Sequence, residues 1–185
     1  MKNIILASKS PRRKELLKKI NKPFTCISAD IDETLDLSSG LEKAVINLAF
    51  RKANYVLERY ENSLVIGADT IVTIDNSVLG KPRDERDAFN ILKQLSGKTH
   101  KVMTGVCIIT DNRMDSFCDV SEVTFFPYSD QEIYEYISTG EPMDKAGAYG
   151  IQGQGALLVK HINGDFYSIM GLPIAKINKI LSEYI

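Results

Sequence analysis

The sequence predicts an α/β fold with a mixed, elongated sheet flanked by helices. Three observations predict it. Short apolar, β-branched runs alternate with amphipathic stretches that carry helix caps. Two β-rich runs, 99–110 and 114–126, are joined by the polar "DNR", a hairpin that a purely parallel sheet would not contain. At 185 residues, 44% of them hydrophobic, the chain can bury a real core as one domain, or as one domain with two lobes.

Each element follows from its local chemistry. "NIILA" (3–7) reads as a buried strand and leads at once into a helix. Ser10 is a good N-cap for that helix and Pro11 fits its first position, so "RRKELLKKI" continues it to residue 20. "FTCISADI" (24–31) reads as a second strand. In 41–60, Ala44, Val45, Leu48, Ala49, Ala53, Val56 and Leu57 recur at helical spacing. "SLVIGADTIVTID" (63–75) is a long strand, and "DNSV" turns it into a short extended piece. Asp84 caps a helix over 84–97 that Gly97 stops. Ser129 caps another over 129–139. Residues 140–155 hold five glycines and one proline, so they must be mostly loop. A strand over 156–162 and a closing helix over 172–185 complete the chain.

Composition excludes several classes. A net charge of −1 provides no global field for nucleic acid or an anionic membrane, so a polyanionic ligand must be met by a local cluster. Cys26, Cys107 and Cys118 form no C-x-x-C, which suits free thiols in a reducing compartment. The amino-terminal apolar run is too short for a signal peptide, and no stretch approaches a membrane span. The expected location is cytoplasmic. "ASKSPRR" lacks the Walker A spacing, and His100 and His161 have no zinc-ligand pattern around them.

The segments that could carry chemistry are few. Arg12 and Arg13 fall in the first turn of a helix, where each exposed cation costs about 0.3–1 kcal/mol. They make sense if an anion such as a phosphate chain is held there, and the alternative is pairing with surface carboxylates. Asp69 and Thr70 interrupt an apolar strand, where a carboxylate is costly unless paired or coordinating. Asp69 is therefore a candidate general base or metal ligand, or else a strand-end cap. In "LGKPR", Gly80 and Pro82 pin Lys81 in a loop suited to phosphate contact, although "GKP" is also a common turn. Lys52 borders the apolar face of its helix. Asp30, Asp32 and Glu33 offer oxygen ligands suited to Mg²⁺ or Mn²⁺, or a solvated acidic loop. Gln152 lies among the glycines of 140–155, where its amide can read the polar edge of a base. Tyr149 in the same loop can stack or pack.

Taken together and in order, "LASKSPRRKELL", "GADTIV", "LGKP" and "TGEPMDKAGAYGIQG" resemble the Maf family of nucleoside triphosphate pyrophosphatases, over essentially the whole chain. The resemblance implies one Maf-like domain over residues 1–185. Its fold would be similar to that of inosine triphosphate pyrophosphatases, with two lobes around a central cleft. The loop "DKAGAYGIQG" matches the subgroup associated with dTTP and UTP rather than the one associated with 7-methyl-GTP. By position, the resemblance makes Asp69 the catalytic proton acceptor and Arg12, Thr70 and Gln152 determinants of base preference. It places Ser8, Arg13, Glu33, Lys52 and Lys81 around the substrate. It implies a divalent cation, Mg or Mn, held by Glu33 and Asp69, with Glu122 a further candidate. Its expected partner is the nucleotide substrate, with a homodimer as a family expectation. A nucleotide-binding regulator of septum formation is the rival reading, and it would need the cationic residues but no catalytic carboxylate.

Overall fold

The structure is a computed structural model that describes residues 3–184, so Ile185, the end of the expected closing helix, lies outside it. Its strands are β1 (Asn3–Ala7), β2 (Phe24–Cys26), β3 (Ser63–Ile74), β4 (Ser77–Leu79), β5 (Thr99–Ile109), β6 (Met114–Phe125) and β7 (Val159–Asn163). Its helices are α1 (Pro11–Lys18), α2 (Leu41–Leu57), α3 (Glu85–Leu95), α4 (Asp130–Ser138), α5 (Phe166–Ile169) and α6 (Ile174–Leu181). The strands form one mixed sheet in the order β2-β1-β3-β5-β6-β7, with β4 paired to β3. β1 runs parallel to both β2 and β3, whereas β4 and β7 are antiparallel to their neighbours. The predicted fold class is therefore the observed one.

Most boundaries agree with the local chemistry, and the differences have physical causes. Ser10, Asp84 and Ser129 each accept a hydrogen bond from the third residue of their helix, and Ser129 with Glu132 completes a capping box. The expected strand 24–31 stops at Cys26: Ile27 N still donates to Leu6 O, and the chain then leaves the sheet edge. Residues 154–158 form a 3-10 turn before β7 rather than the start of a strand. The helix α5 was not expected; its cap is Asp165, whose side chain accepts from Tyr167 N.

The chain divides into two compact units. The first holds residues up to Thr70, Thr104–Asp119 and Gly171 onward; the second holds Ile71–Met103 and Val120–Met170. In the first unit, Ala49, Ala53 and Val56 of α2 pack on Ile5, Val65 and Cys107 of the sheet. Two glycines allow this approach. A Cβ on Gly67 would lie 2.2 Å from Ala49 O, and one on Gly105 would lie 2.4 Å from Val45 O. Any side chain at either position would push helix and strand apart.

In the second unit, α3 and α4 cover a core that includes Leu92, Leu95, Phe125, Ile133 and Tyr149. His100 is buried there, edge-on to Phe125, with Nε2 2.8 Å from Tyr149 Oη. Tyr149 thus packs inside the unit rather than offering a stacking face. Burial lowers the His100 pKa from 6.5 to about 4. An unfolded chain takes up that proton as pH falls below 6.5, and the folded chain does so only near 4. Stability is therefore full above pH 6.5 and declines between 6.5 and 4, by about 3 kcal/mol at most. Denaturant titrations across that window should show His100→Gln losing less stability on acidification than the parent chain.

Candidate active site

The site in the first unit begins where β1 ends. Ala7 is paired with Gly67, so Ala68, Asp69 and Thr70 of β3 continue beyond the carboxyl end of the neighbouring parallel strand. That end of a parallel strand is where α/β folds bind ligands. The chain there turns from β1 into α1 through a chain of caps. Ser10 N donates to Ser8 Oγ at 3.1 Å, and Arg13 N donates to Ser10 Oγ at 3.3 Å.

The first turn of α1 carries Arg12 and Arg13 and no acidic residue. Arg13 turns back toward the sheet. Its Nε donates to Gly171 O at 2.8 Å, and its Nη2 donates to Thr70 Oγ1 at 3.0 Å. Gly171 has a φ of +118°, a conformation that favours glycine. The Thr70 hydroxyl also bonds the buried Thr104 hydroxyl at 2.9 Å. Burial lowers the Arg13 pKa and the charge of Asp69 opposes that shift. The guanidinium stays protonated throughout the physiological range. Two of its five N–H donors are engaged among the described residues, which leaves three for an anion.

Asp69 is held from the other side by α2. Lys52 is buried, and its Nζ donates to Asp69 Oδ1 at 2.7 Å and lies 3.0 Å from Glu33 Oε2. Asp69 Oδ2 accepts no hydrogen bond among the described residues. The side chain of Asp69 is 14% exposed and that of Glu33 60%, so the pair runs from the interior to the surface. Arg51 fixes the acidic loop. Its guanidinium donates to the carbonyls of Asp32 and Thr34, which flank Glu33. Adjacent residues of α2 thus hold the loop backbone and the loop carboxylate.

The first unit therefore brings together Arg13, Glu33, Lys52, Asp69 and Thr70, with Ser8 in the turn that enters α1 and the charge of Arg12 acting on Arg13. Lys81 and Gln152 belong to the second unit, and both are exposed. The loops that carry them meet there: Gly147 N donates to Gly80 O at 3.1 Å, and Ala148 adopts a φ of +59°. A positive φ at a non-glycine residue is strained and is retained where the surroundings impose it.

Sequence reasoning missed Arg51, Thr104 and Gly171. Arg51 and Gly171 act through backbone carbonyls, and no residue pattern marks a carbonyl as a partner. The acidic triplet needs correction as a metal cluster. Asp32 accepts from Thr34 N and Oγ1 at 2.9 and 2.7 Å and serves the turn instead. Glu122 belongs to the second unit, opposite Asn163 on β7. Among the described residues no three His, Cys, Asp or Glu side chains form a metal-binding group. Glu33 and Asp69 remain as two carboxylates facing one cation, Lys52. That oxygen-only pair fits Mg²⁺ or Mn²⁺, which take one or two carboxylates and complete their shell with phosphate and water. It does not suit zinc.

Three comparisons extend the picture. The family model described as "Maf-like protein" matches residues 3–184. A Bacillus velezensis protein named dTTP/UTP pyrophosphatase is 52% identical, over 99% of this chain and 97% of its own. A Bacillus cytotoxicus protein of the same name is 50% identical, over 100% of this chain and 96% of its own. Among solved structures, the Staphylococcus aureus Ham1 protein has a TM-score of 0.57 at 13% identity with both chains fully covered, a likeness of fold alone.

Proposed function

Given that this chain belongs to the Maf family, we propose that it hydrolyses dTTP and UTP to the nucleoside monophosphate and pyrophosphate. The observation that carries the reading is the part-buried Lys52–Asp69 pair, with one carboxylate oxygen bonded to Lys52 and the other accepting no hydrogen bond among the described residues, near the guanidinium of Arg13. Relatives about half identical over nearly their full length are named for this activity.

The residues divide the work by chemistry. Arg13, with Arg12 and the Ser8–Ser10 turn, offers cationic and N–H donors to the triphosphate at the start of α1. Lys52 fixes the Asp69 carboxylate so that Oδ2 accepts a proton from water. The water oxygen bonds to the α-phosphorus as the bond from phosphorus to the pyrophosphate oxygen breaks, and the charge that gathers on the leaving group meets fixed cations. Glu33 and Asp69 would hold a divalent ion, Mg or Mn, whose charge lowers the cost of the developing anion. Lys81 contacts phosphate, and Arg12, Thr70 and Gln152 contribute to base preference, in the roles the family resemblance implies.

The proposal places the enzyme in the cytoplasm, which suits three free cysteines, of which Cys26 is exposed. Among the described residues no helix is long and apolar enough to cross a membrane. The net charge of −1 supports neither a nucleic-acid nor a membrane partner. The homodimer expected from the family is not required by this chemistry.

A panel of nucleoside triphosphates assayed for pyrophosphate tests the reading. Release from dTTP and UTP that stops on chelation of divalent metal is expected. Tight nucleotide binding without release of pyrophosphate would favour the regulator instead, and a preference for 7-methyl-GTP would move the chain to the other subgroup.

A further inference from the structure

Gly150, Gly153 and Gly155 of the 140–155 segment sit where neighbouring atoms crowd the place of a Cβ. Glu141 Oε2 accepts from Gln154 N at 2.9 Å, and Oε1 accepts from Gly155 N at 3.1 Å and from Tyr136 Oη at 2.8 Å. Tyr136, buried on α4, in turn accepts from Gly150 N at 3.1 Å. One carboxylate and one phenol thus hold both ends of the six residues 150–155. The packing leaves no room for side chains at these points. A Cβ on Gly153 would lie 2.2 Å from Glu141 Oε2, and one on Gly155 would lie 2.5 Å from Gly150 O. Within the clasped segment Ile151 is buried in the core, while Gln152 is exposed and its side chain makes no hydrogen bond among the described residues. Lys145 closes the base of the loop by donating to Glu141 O at 2.7 Å.

We infer that Glu141 is a positioning residue for base recognition: its carboxylate, with Tyr136, preforms the loop that presents the Gln152 amide. The inference rests on the proposed reading of Gln152 as a base contact. A uracil or thymine edge offers an N–H donor beside a carbonyl acceptor, and an amide matches both only when it is held in register with them. A loop ordered before binding spares the nucleotide the cost of ordering it, so discrimination is stronger.

The test uses Glu141→Gln in the full chain, with Tyr136→Phe as a second variant should the first fold poorly. Two measurements are needed. Amide hydrogen exchange without nucleotide should quicken at Gln154 and Gly155 in the first variant and at Gly150 in the second. Steady-state kinetics should show the ratio of kcat/KM for UTP over CTP falling at least about fivefold, which is the worth of one hydrogen bond to the base. The loss should lie mainly in KM, as expected for a binding contact. Unchanged exchange overturns the clasp. Faster exchange with an unchanged UTP-to-CTP ratio leaves the carboxylate a merely structural role and overturns the inference. A parent enzyme that releases no pyrophosphate from UTP would sink the hydrolysis reading instead, and the exchange arm would still decide whether Glu141 holds the loop.

Discussion

Asp69→Asn is expected to bind UTP as the parent does and to turn it over about 10²- to 10⁴-fold more slowly, the range for loss of a positioned general base. The substitution keeps the size and shape of the side chain and removes its charge and its basicity. An asparagine can turn its carbonyl oxygen toward Lys52 and keep the 2.7 Å contact that now orients the carboxylate. The amide nitrogen then occupies the place of Oδ2, and an amide NH₂ donates hydrogen bonds but takes up no proton. Arg13 keeps both of its anchors, Gly171 O and Thr70 Oγ1. Equilibrium titration with UTP in the absence of divalent metal should therefore change little, while single-turnover release of pyrophosphate with the metal present should collapse. Near-normal hydrolysis by this variant would show that the proton goes elsewhere and that turnover needs neither the basicity nor the charge of this carboxylate.

How much of this was legible in the sequence depends on what kind of partner each residue has. Asp69 stood out because a carboxylate interrupts an apolar strand, and its ionic partner Lys52 stood out only weakly, as a lysine bordering an apolar helix face. Their meeting is a tertiary event. It depends on Gly67 and Gly105 letting α2 descend onto the sheet, and the sequence shows two glycines in strands without saying what approaches them. The caps at Ser10, Asp84 and Ser129 were readable because capping is local. The strand at 24–31 was overextended because β-propensity does not say where a neighbouring strand runs out. The two arginines at the start of α1 illustrate both cases. Their electrostatic misplacement was visible in the sequence, whereas the return of Arg13 to the Gly171 carbonyl, 158 residues away, was not.

Lys52→Met should lower kcat/KM by about 10²- to 10³-fold, the cost of removing one preorganised electrostatic group, with only a small loss of stability. Methionine is the informative replacement because it fills the space of the buried lysine stem and removes only the ammonium. Three consequences follow at the site. Asp69 loses the contact that orients it, Glu33 loses the cation 3.0 Å away, and the two carboxylates face each other with no positive charge between them. Breaking a fully buried ion pair costs about 3–5 kcal/mol, whereas an exposed one contributes at most about 1 kcal/mol. With Glu33 60% exposed and Asp69 at the edge of the interior, both carboxylates can recruit water, so the loss of stability should stay near the lower figure. The two effects are thus separable: thermal unfolding should shift by a few degrees while activity falls by orders of magnitude. A variant that unfolds easily but, below its unfolding temperature, works at the parent rate would make Lys52 a structural lysine. In that case the charge that meets the triphosphate would have to come from Arg12, Arg13, Lys81 and the divalent ion.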